Sequence, residues 1–382
     1  MCIRDRICGD DQIAEYINNI YTSNGKRSFD SNFMAHVYEK PLEVSSLSLK
    51  EAPSSRMSAQ MIGRHLNGCR IGFDAGGSDR KVSAVIDGVS VYSEEVIWFP
   101  KMEKDPEYHY SEILKAFKTA ASKMPRVDAI GVSSAGVYVN NKTMVASLFL
   151  KVPKDQFEEK VENIYIRAAK EIGNVPLVVA NDGDVTALAG SMSLNVNSIL
   201  GMAMGTSEAV GYIDSSGKIT GWLNELAFAP VDLYEGAAID EWSNDYGLGC
   251  KYFSQDAIIK LAPRAGIEID NNLSLADKLK VVQDLMEKDD SRAAEIYRSI
   301  GVYLGHTIPL YSRFYEIEHV LLMGRVTSGK GGLLLIDTAN RVMKEEYPDV
   351  LDRVELNLPD ENSRRVGQSI AAASLPSIKE ET

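Results

Sequence analysis

The stretch Leu177-Val-Val-Ala-Asn-Asp-Gly-Asp184 is an apolar run that ends in Asn181 and Asp182. Such a run is typical of a buried strand, and the apolar spacing of 184–192 indicates a short helix after it. Asp182 therefore lies at the carboxyl end of a strand, where open α/β sheets bind their ligands. A carboxylate there can accept a proton from a hydroxyl group that attacks a phosphate. The alternative is a helix cap, a role that we expect for Asp184 rather than for Asp182.

The chain before this stretch has the pattern of an α/β lobe. Asp87-Gly88 is a strong hairpin signal between two apolar segments. Apolar runs and helical spacing together predict the order βββαβαβα over residues 70–196. The predicted strands are 70–74, 81–86, 91–99, 127–132 and 176–180, and the predicted helices are 106–123, 155–172 and 184–192.

The same order can be read a second time over residues 197–375, with a long insertion that contains a helix near 274–286. Two copies of one order predict two related lobes, with ligands at the carboxyl ends of their strands. Residues 376–382 are read as a tail. The strands predicted in the second copy are 198–204, 209–213, a weak 218–220, 319–323 and 354–358, and the helices are 291–314, 333–346 and 365–374.

Residues 7–69 form an N-terminal extension with helices predicted at 11–21 and 56–66 and a Ser-rich stretch between them. We expect an arm that packs on the first lobe or on a partner subunit. Residues 1–6, Met-Cys-Ile-Arg-Asp-Arg, resemble the translation of a transposase adapter used in sequencing libraries, and we set them aside from the fold.

Composition excludes several classes of protein. The 382 residues carry a net charge of −13, which argues against a nucleic-acid partner, because such surfaces need clustered Lys and Arg. No apolar run reaches the roughly 20 residues of a membrane span, so no membrane association is expected. The 4 cysteines include no CxxC pair, which favours a reducing, cytoplasmic compartment.

The first strand of the first lobe ends in a candidate phosphate and metal site. Asp74 ends the strand, Gly76 and Gly77 turn the chain, and Ser78 and Lys81 follow. Glycines let backbone amides approach a phosphate closely, and a nearby carboxylate can hold Mg²⁺. The alternative is a plain hairpin turn.

Two strand ends in the second lobe have similar chemistry. Gly205 and Thr206 end the first strand and can offer amides and a hydroxyl group to a phosphate. Gly324 ends a later strand and opens a glycine-rich turn. The run Gly324-Arg-Val-Thr-Ser-Gly-Lys330-Gly331 is also nearly a P-loop, but it lacks the Ser or Thr after the lysine that would bind Mg²⁺.

In this order, the four motifs resemble those of the ROK family of sugar kinases and regulators over about 70–374. The resemblance implies the actin/hexokinase/Hsp70 ATPase fold, with two ribonuclease-H-like lobes, and a kinase that uses ATP and Mg²⁺ on a hydroxyl group of a sugar. It implies Asp182 as the catalytic base and Asn181 and Glu225 as substrate ligands. Ser134 and Gly136, after the strand 127–132, are also predicted to contact the substrate. The residues predicted to bind the cofactor are Asp74 (with Mg²⁺ through the phosphates), Gly76, Gly77, Ser78, Lys81, Gly205, Thr206 and Gly324.

Several positions depart from the family pattern. Phe228 stands where the family has a sugar-binding His, and Tyr252 stands where it has a Glu. Of the family's cysteine-rich zinc loop only Gly249-Cys250 remains, so we expect no zinc site, because such a site takes about four ligands. Glu208 lies in a loop that should be glycine-rich, where a carboxylate would repel phosphate.

Other interpretations stay open. A sugar-binding sensor without catalysis is one, although no helix-turn-helix pattern is visible; a P-loop NTPase is another, and a homodimer is possible. The acidic segment 240–245 could bind substrate hydroxyl groups or a cation, or could be a solvated loop.

Overall fold

The computed structural model describes residues 4–54, 63–220, 223–358 and 361–378, and within these ranges it contains two α/β lobes and an N-terminal extension. No helix in these ranges is both long and apolar enough to cross a membrane. The strands are β1 Arg4–Cys8, β2 Glu43–Leu47, β3 Cys69–Ala75, β4 Asp79–Ile86, β5 Val89–Ile97, β6 Ala129–Ser134, β7 Val137–Val139, β8 Lys142–Val145, β9 Leu177–Asn181, β10 Ile199–Met204, β11 Glu208–Ile213, β12 His319–Met323 and β13 Glu355–Asn357. The helices are α1 Asp11–Ile20, α2 Ser28–Tyr38, α3 Pro106–Ala121, α4 Lys154–Gln156, α5 Ile164–Ile172, α6 Asp182–Leu194, α7 Gln255–Leu261, α8 Leu275–Glu287, α9 Ser291–Tyr311, α10 Gly329–Glu346, α11 Pro348–Leu351 and α12 Glu361–Ala373.

The first lobe is built on a five-stranded sheet in the order β5-β4-β3-β6-β9. β3 and β9 both run parallel to β6, so the carboxyl ends of these three strands meet at one edge of the sheet. One face of the sheet buries apolar side chains such as Ile71 and Phe73 against α3 and α5. The predicted order of strands and helices in this lobe is confirmed.

The first lobe also contains a hairpin that was not predicted. β7 and β8 pair antiparallel, and Asn140 and Asn141 at their turn have φ of 53° and 65°. Asparagine tolerates this left-handed conformation, so an Asn-Asn pair can form a tight hairpin turn. Further along, the helix predicted over 155–172 is interrupted, because a wider π-helical turn at 157–161 separates α4 from α5.

The second lobe is built on a four-stranded sheet in the order β11-β10-β12-β13. The weak third strand predicted at 218–220 is not formed, since Ile219 makes only an isolated bridge with Ile213. A tight turn joins the two segments, in which the carboxylate of Asp214 accepts a hydrogen bond from the amide of Lys218 at 2.8 Å. Within the described residues, this segment therefore pairs with β11 at a single position.

The last helix, α12, crosses back to the first lobe and packs on β3, β6 and α6. Gly72 and Gly131 are register partners on these strands. A Cβ atom on them would lie only 1.8 Å and 1.7 Å from the carbonyl oxygens of Ser369 and Ala372. The glycines thus let the helix backbone lie directly on the sheet. The order along the chain predicts that helix 365–374 belongs to the second lobe, whereas α12 packs on the sheet of the first.

The N-terminal extension has secondary structure of its own. β1 pairs in parallel with β2, so residues 4–6, which the sequence analysis set aside, lie in a paired strand. The predicted helix at 11–21 is confirmed as α1, whereas α2 occupies the Ser-rich stretch where no helix was predicted. Most of the helix predicted at 56–66 lies outside the described residues, and 63–66 are not helical.

Candidate functional site

The carboxyl ends of β3, β6 and β9 bring predicted site residues side by side. In the strand register, Asp74 lies opposite Ser133, and Ser134 lies opposite Asn181. The hydroxyl group of Ser133 donates a hydrogen bond to Oδ1 of Asp74 at 2.9 Å, and both side chains are buried. This edge of the sheet is therefore a polar surface supported by a buried hydrogen bond.

Asn181 and Asp182 have different roles at the start of α6. Asn181 is the N-cap, because its Oδ1 accepts a hydrogen bond from the amide of Gly183 at 2.7 Å. Asp182 is the first residue of the helix and, as predicted, not its cap. Burial, followed by the charge of Asp74, raises the pKa of Asp182 to about 6. A carboxylate with such a pKa is a suitable proton acceptor near neutral pH.

Asp184 is not the helix cap that we predicted, because Asn181 already supplies the capping oxygen. Oδ1 of Asp184 instead accepts a hydrogen bond from Nδ2 of Asn224, in the second lobe, at 3.0 Å. Burial raises the pKa of Asp184 to about 7, although this bond opposes the shift. Asp184 therefore joins the two lobes beneath the site.

Glu225 approaches the same place from the second lobe. It directly follows Asn224, which is buried and has φ of 53°. Burial raises the pKa of Glu225 to about 8, and the charges of Asp182 and Asp184 add to the shift. Such repulsion requires the carboxylates to lie close together. Glu225 therefore lies near enough to Asp182 and Asp184 for their charges to act on it from the first lobe.

Ser134 and Gly136 also lie near this edge, but only Gly136 is partly exposed to solvent. Ser134 is fully buried, and its Oγ forms hydrogen bonds with the hydroxyl groups of Tyr138 at 2.6 Å and Tyr165 at 2.9 Å. The carbonyl oxygen of Gly136 accepts a hydrogen bond from Nδ2 of Asn181 at 2.8 Å. Ser134 therefore supports the strand end, while Gly136 fixes the orientation of the Asn181 amide.

Lys81 lies opposite Asp74 in the strand pairing, and its Nζ is 3.2 Å from Oδ1 of Asp79. Burial lowers the pKa of Lys81, but the charges of Asp74 and Asp79 outweigh it, so the pKa is raised overall. Burial also raises the pKa of Asp74, an effect that Lys81 partly offsets. The neighbouring turn leaves Gly77 and Ser78 exposed.

Two further residues, Lys101 and Gln368, lie at the site although no sequence pattern indicates them. The Lys101 side chain lies 3.1 Å from where a Cβ atom of Gly77 would be, and its charge lowers the pKa of Asp182. Nε2 of Gln368, on α12, donates hydrogen bonds to Oγ of Ser133 at 3.1 Å and to the carbonyl oxygen of Asp182 at 3.3 Å. Both reach the site through tertiary packing, so no local pattern could have identified them.

The predicted phosphate turns of the second lobe are neighbours. β10 and β12 pair in parallel, so Gly205 and Gly324 follow adjacent strand ends. Gly324 has φ of 99°, and a Cβ atom there would lie 2.3 Å from the carbonyl oxygen of Met204. Only glycine fits so close to the first turn. Thr206 is exposed beside it.

Glu208 follows this turn, but its side chain points inward and is only 6% exposed. Within the described residues, neither of its carboxyl oxygens has a hydrogen-bond partner. Burial raises its pKa well above the usual value. A Cβ atom on Gly249 would lie 2.4 Å from its Oε2, so the carboxyl group packs under the 249–251 turn and not beside the exposed Thr206.

Replacing Glu208 by Gln should change how stability depends on pH. Because the pKa is raised in the folded state, the favourable contribution of Glu208 is complete at low pH and is lost as the pH rises through the folded value. Glu208→Gln lacks this loss, so the difference in stability between variant and wild type should shift in favour of the variant between pH 5 and pH 8, by at least about 1.4 kcal/mol, the equivalent of one pKa unit. Urea unfolding at both pH values measures the difference.

The exposed Glu235 provides the matched control, since Glu235→Gln removes one carboxylate without burial. It should leave the pH dependence unchanged. An equal loss of stability between pH 5 and pH 8 in the wild type and in Glu208→Gln would contradict the assignment.

The positions that depart from the family pattern have other partners. The hydroxyl group of Tyr252 donates to Oδ2 of Asp232 at 2.7 Å, and Phe228 packs on Trp242 with ring centroids 5.3 Å apart. Cys250 is a free, buried thiol. Among the described residues, no group of three or more His, Cys, Asp or Glu side chains is placed to hold a metal ion.

The acidic segment 240–245 is bonded internally and to the extension. Oδ2 of Asp240 accepts hydrogen bonds from the amide of Ser243 at 2.9 Å and from its hydroxyl group at 3.0 Å. Asp245 pairs with Arg27 of the extension at 2.7 Å. These carboxylates therefore shape the loop and anchor the extension.

Comparison with known proteins identifies the fold. No family model and no curated protein sequence matches the chain. Solved structures do match it. A ROK family glucokinase from Streptomyces griseus, in complex with glucose and AMPPNP, aligns with a TM-score of 0.60 and 16% identity over 81% of this chain and 99% of that chain. A putative sugar kinase from Cytophaga hutchinsonii aligns with a TM-score of 0.61 and 14% identity over 80% and 98%.

A ROK family transcriptional regulator, a homologue of the E. coli MLC protein, aligns equally well. Its TM-score is 0.60 with 15% identity, over 81% of this chain and 79% of that chain. The chain therefore has the two-lobed, actin-like ATPase fold of ROK kinases and regulators, and the predicted fold class is confirmed.

Proposed function

We propose that this chain, with the fold of ROK sugar kinases and regulators, is an ATP-dependent phosphotransferase of that family that acts on a hydroxyl group of a sugar or sugar-like molecule. The observation that carries the proposal is Asp182, a partly buried carboxylate that follows the carboxyl end of β9, with Glu225 of the other lobe near enough for the charge of Asp182 to raise its pKa. One carboxylate can take the proton of the attacking hydroxyl group while the other binds a second hydroxyl group. We expect a cytoplasmic enzyme.

The nucleotide would lie on the opposite side of the site. The exposed turns at 76–78 and 205–206 offer backbone amides to phosphates, and Lys101 adds a positive charge between the first turn and Asp182. The AMPPNP complex of the Streptomyces griseus glucokinase supports ATP as the donor. Gly324 would flank the adenosine.

The carboxylates of Asp74 and Asp182 fit a bound magnesium ion. Asp74 is buried and Asp182 is partly buried, and they lie close enough for the charge of Asp74 to raise the pKa of Asp182, so a divalent cation would relieve their repulsion. Carboxylate oxygens are ligands that Mg²⁺ prefers. Asp74 would hold the ion through the phosphates, where it would neutralise charge on the transferred group.

The chain's own residues would then position the acceptor. Asp182 accepts the proton of the attacking hydroxyl group, and Asn181, whose amide is fixed by Gly136, orients a neighbouring hydroxyl group together with Glu225. Closure of the lobes would exclude water, which otherwise hydrolyses ATP.

A sugar sensor without catalysis is the second candidate. Phe228 and Tyr252 replace the His and Glu expected for sugar recognition, and a ROK regulator shares the fold. A panel of monosaccharides, amino sugars and sugar acids separates the two functions when it is measured for ADP release with ATP and Mg²⁺ and, in parallel, for binding. Release of ADP that depends on an acceptor supports the kinase, whereas tight binding without ADP release supports the sensor.

The P-loop alternative predicts a phosphate at the start of α10, but this position is occupied. Oε1 of Glu287 accepts a hydrogen bond from the amide of Lys330 at 3.0 Å, and Nζ of Lys330 is 2.7 Å from Oδ1 of Asp289. Lys330→Ala should therefore change the KM for ATP and kcat by less than about twofold. A loss of 10²-fold or more, the usual cost of losing a phosphate clamp, would favour the P-loop.

A further inference from the structure

Helix α2 of the N-terminal extension contacts the first lobe through a buried apolar patch. Val37 is fully buried against Val137 and Met144 of the β7–β8 hairpin. Nε2 of His36 forms a hydrogen bond with the carbonyl oxygen of Met144 at 2.9 Å. This end of α2 is therefore fixed to the hairpin.

The other end of α2 contacts the second lobe. Arg27, the residue before α2, forms two hydrogen bonds with the carboxylate of Asp245, at 2.7 Å and 2.9 Å. Phe29 and Phe33 pack edge-on against Trp242, with ring centroids 5.0 Å and 5.5 Å apart. These contacts are only partly buried, since Trp242 is 47% exposed. Helix α2 thus bridges the two lobes, with the weaker attachment on the second.

In the second lobe, the attachment points of α2 lie on both sides of Glu225. Leu223 packs with the cluster of Val37, Val137 and Met144, and Phe228 packs on Trp242. Glu225 lies between Leu223 and Phe228 in the chain.

In the first lobe, α2 rests on the chain that leads to the candidate base. Val137 follows Gly136, whose carbonyl oxygen holds Asn181 next to Asp182. Tyr138, on the same hairpin, is close enough for the charge of Asp182 to raise its pKa, although burial is the larger cause. Helix α2 therefore contacts a segment next to each half of the acceptor side, namely the β7–β8 hairpin in the first lobe and the chain around Glu225 in the second.

We propose that α2 is a strap across the acceptor side of the cleft, and that Phe29, Trp242 and Phe228 form an aromatic wall that selects the acceptor. This inference rests on the proposed function, because the acceptor is the hydroxylated molecule held by Asp182 and Glu225. Aromatic side chains commonly supply the apolar lining of small-molecule sites, while a few polar groups fix orientation. The acceptor that fits is a single sugar ring with an apolar face, because a strap joining both lobes blocks the side along which a longer chain would extend.

Variants of the wall provide the test, with calorimetric binding of monosaccharides and of their disaccharides as the readout. Phe29→Ala and Trp242→Ala should each weaken monosaccharide binding by about tenfold, as expected when an aromatic side chain that contacts the ligand is removed. Trp242→Phe should restore most of the affinity. Binding of AMPPNP, on the other side of the site, should stay within twofold. Tyr16→Ala is the matched control, because Tyr16 is an exposed aromatic residue of the same extension that is 63% accessible.

The strap itself is tested by Asp245→Asn, which removes the charge that pairs with Arg27 and leaves both the hairpin contacts and the Arg27–Asp30 pair at the start of α2 in place. Hydrogen exchange in residues 28–38 should become faster, and disaccharides should gain affinity relative to monosaccharides. The proposed strap would be wrong if hydrogen exchange in residues 28–38 and the ratio of monosaccharide to disaccharide affinity both stayed unchanged. The proposed role of the aromatic wall would be wrong if Phe29→Ala and Trp242→Ala bound monosaccharides as tightly as the wild type, or if the wild type bound no sugar. If the wall variants weaken sugar binding but no phosphoryl transfer is detected, the proposed kinase activity would be refuted, whereas the proposed role of α2 and the wall would be supported.

Discussion

Asp182→Asn should lower phosphoryl transfer by about 10²-fold or more, the usual contribution of a general base. Asparagine keeps the volume of the side chain and its acceptor oxygen for the amide of Gly183, which lies 3.1 Å from Oδ1. It cannot accept the proton of the attacking hydroxyl group. The dissociation constants of nucleotide and acceptor should therefore stay close to those of the wild type, while kcat falls.

The dependence of the wild-type rate on pH gives an independent check. Because the pKa of Asp182 is raised to about 6, kcat/KM should fall as the pH drops below that value and the base becomes protonated. Asp184→Asn is the matched control, since Asp184 is bonded to Asn224 and not to the acceptor. It should lower stability more than turnover. If Asp182→Asn kept nearly wild-type turnover, Asp182 would be a structural residue and not the general base.

Gly131→Ala should destabilise the chain by about 3 kcal/mol or more, as expected when overpacking meets a backbone that cannot give way. The added Cβ atom would lie 1.7 Å from the carbonyl oxygen of Ala372, so α12 would have to move off the sheet. Such a shift would also displace Gln368 from Ser133 and from the carbonyl oxygen of Asp182. Urea unfolding measures the loss, and phosphoryl transfer should fall with it.

Gly173→Ala is the control for this substitution. The nearest atom to a Cβ at Gly173 would be Cγ1 of Val175 at 3.8 Å, an ordinary contact, so its stability should change by less than about 1 kcal/mol. Equal stabilities of Gly131→Ala and the wild type would mean that α12 does not lie on the first sheet.

The sequence predicted those parts of the fold that depend on local patterns. Apolar runs identified β3, β6 and β9, and the position of Asn181 and Asp182 at a strand end followed from the pattern alone. Because parallel strands end at one edge, the nearness of Asp74 to Asp182 could be expected.

The parts that were missed depend on contacts between distant segments. Helix α2 is stabilised by Trp242 and by the β7–β8 hairpin, and such tertiary packing is what usually stabilises a helix of its length. The position of Asp184 before an apolar run favours a helix cap, and its actual partner, Asn224, is 40 residues away in the second lobe, where no local pattern indicates it. The position of α12 depends on Gly72 and Gly131, which let its backbone contact the first sheet. These glycines alone do not indicate from the sequence which segment packs on them.

The most direct test of the proposed kinase uses ATP labelled in its γ-phosphate, with Mg²⁺ and the panel of sugars. The proposal predicts that the label moves to a hydroxyl group of one acceptor class in the wild type, and that this transfer falls by about 10²-fold or more in Asp182→Asn. Label that stays in ATP or appears only as inorganic phosphate with every acceptor, while a sugar still binds, would contradict the kinase and identify the chain as a sugar-binding protein on the same fold.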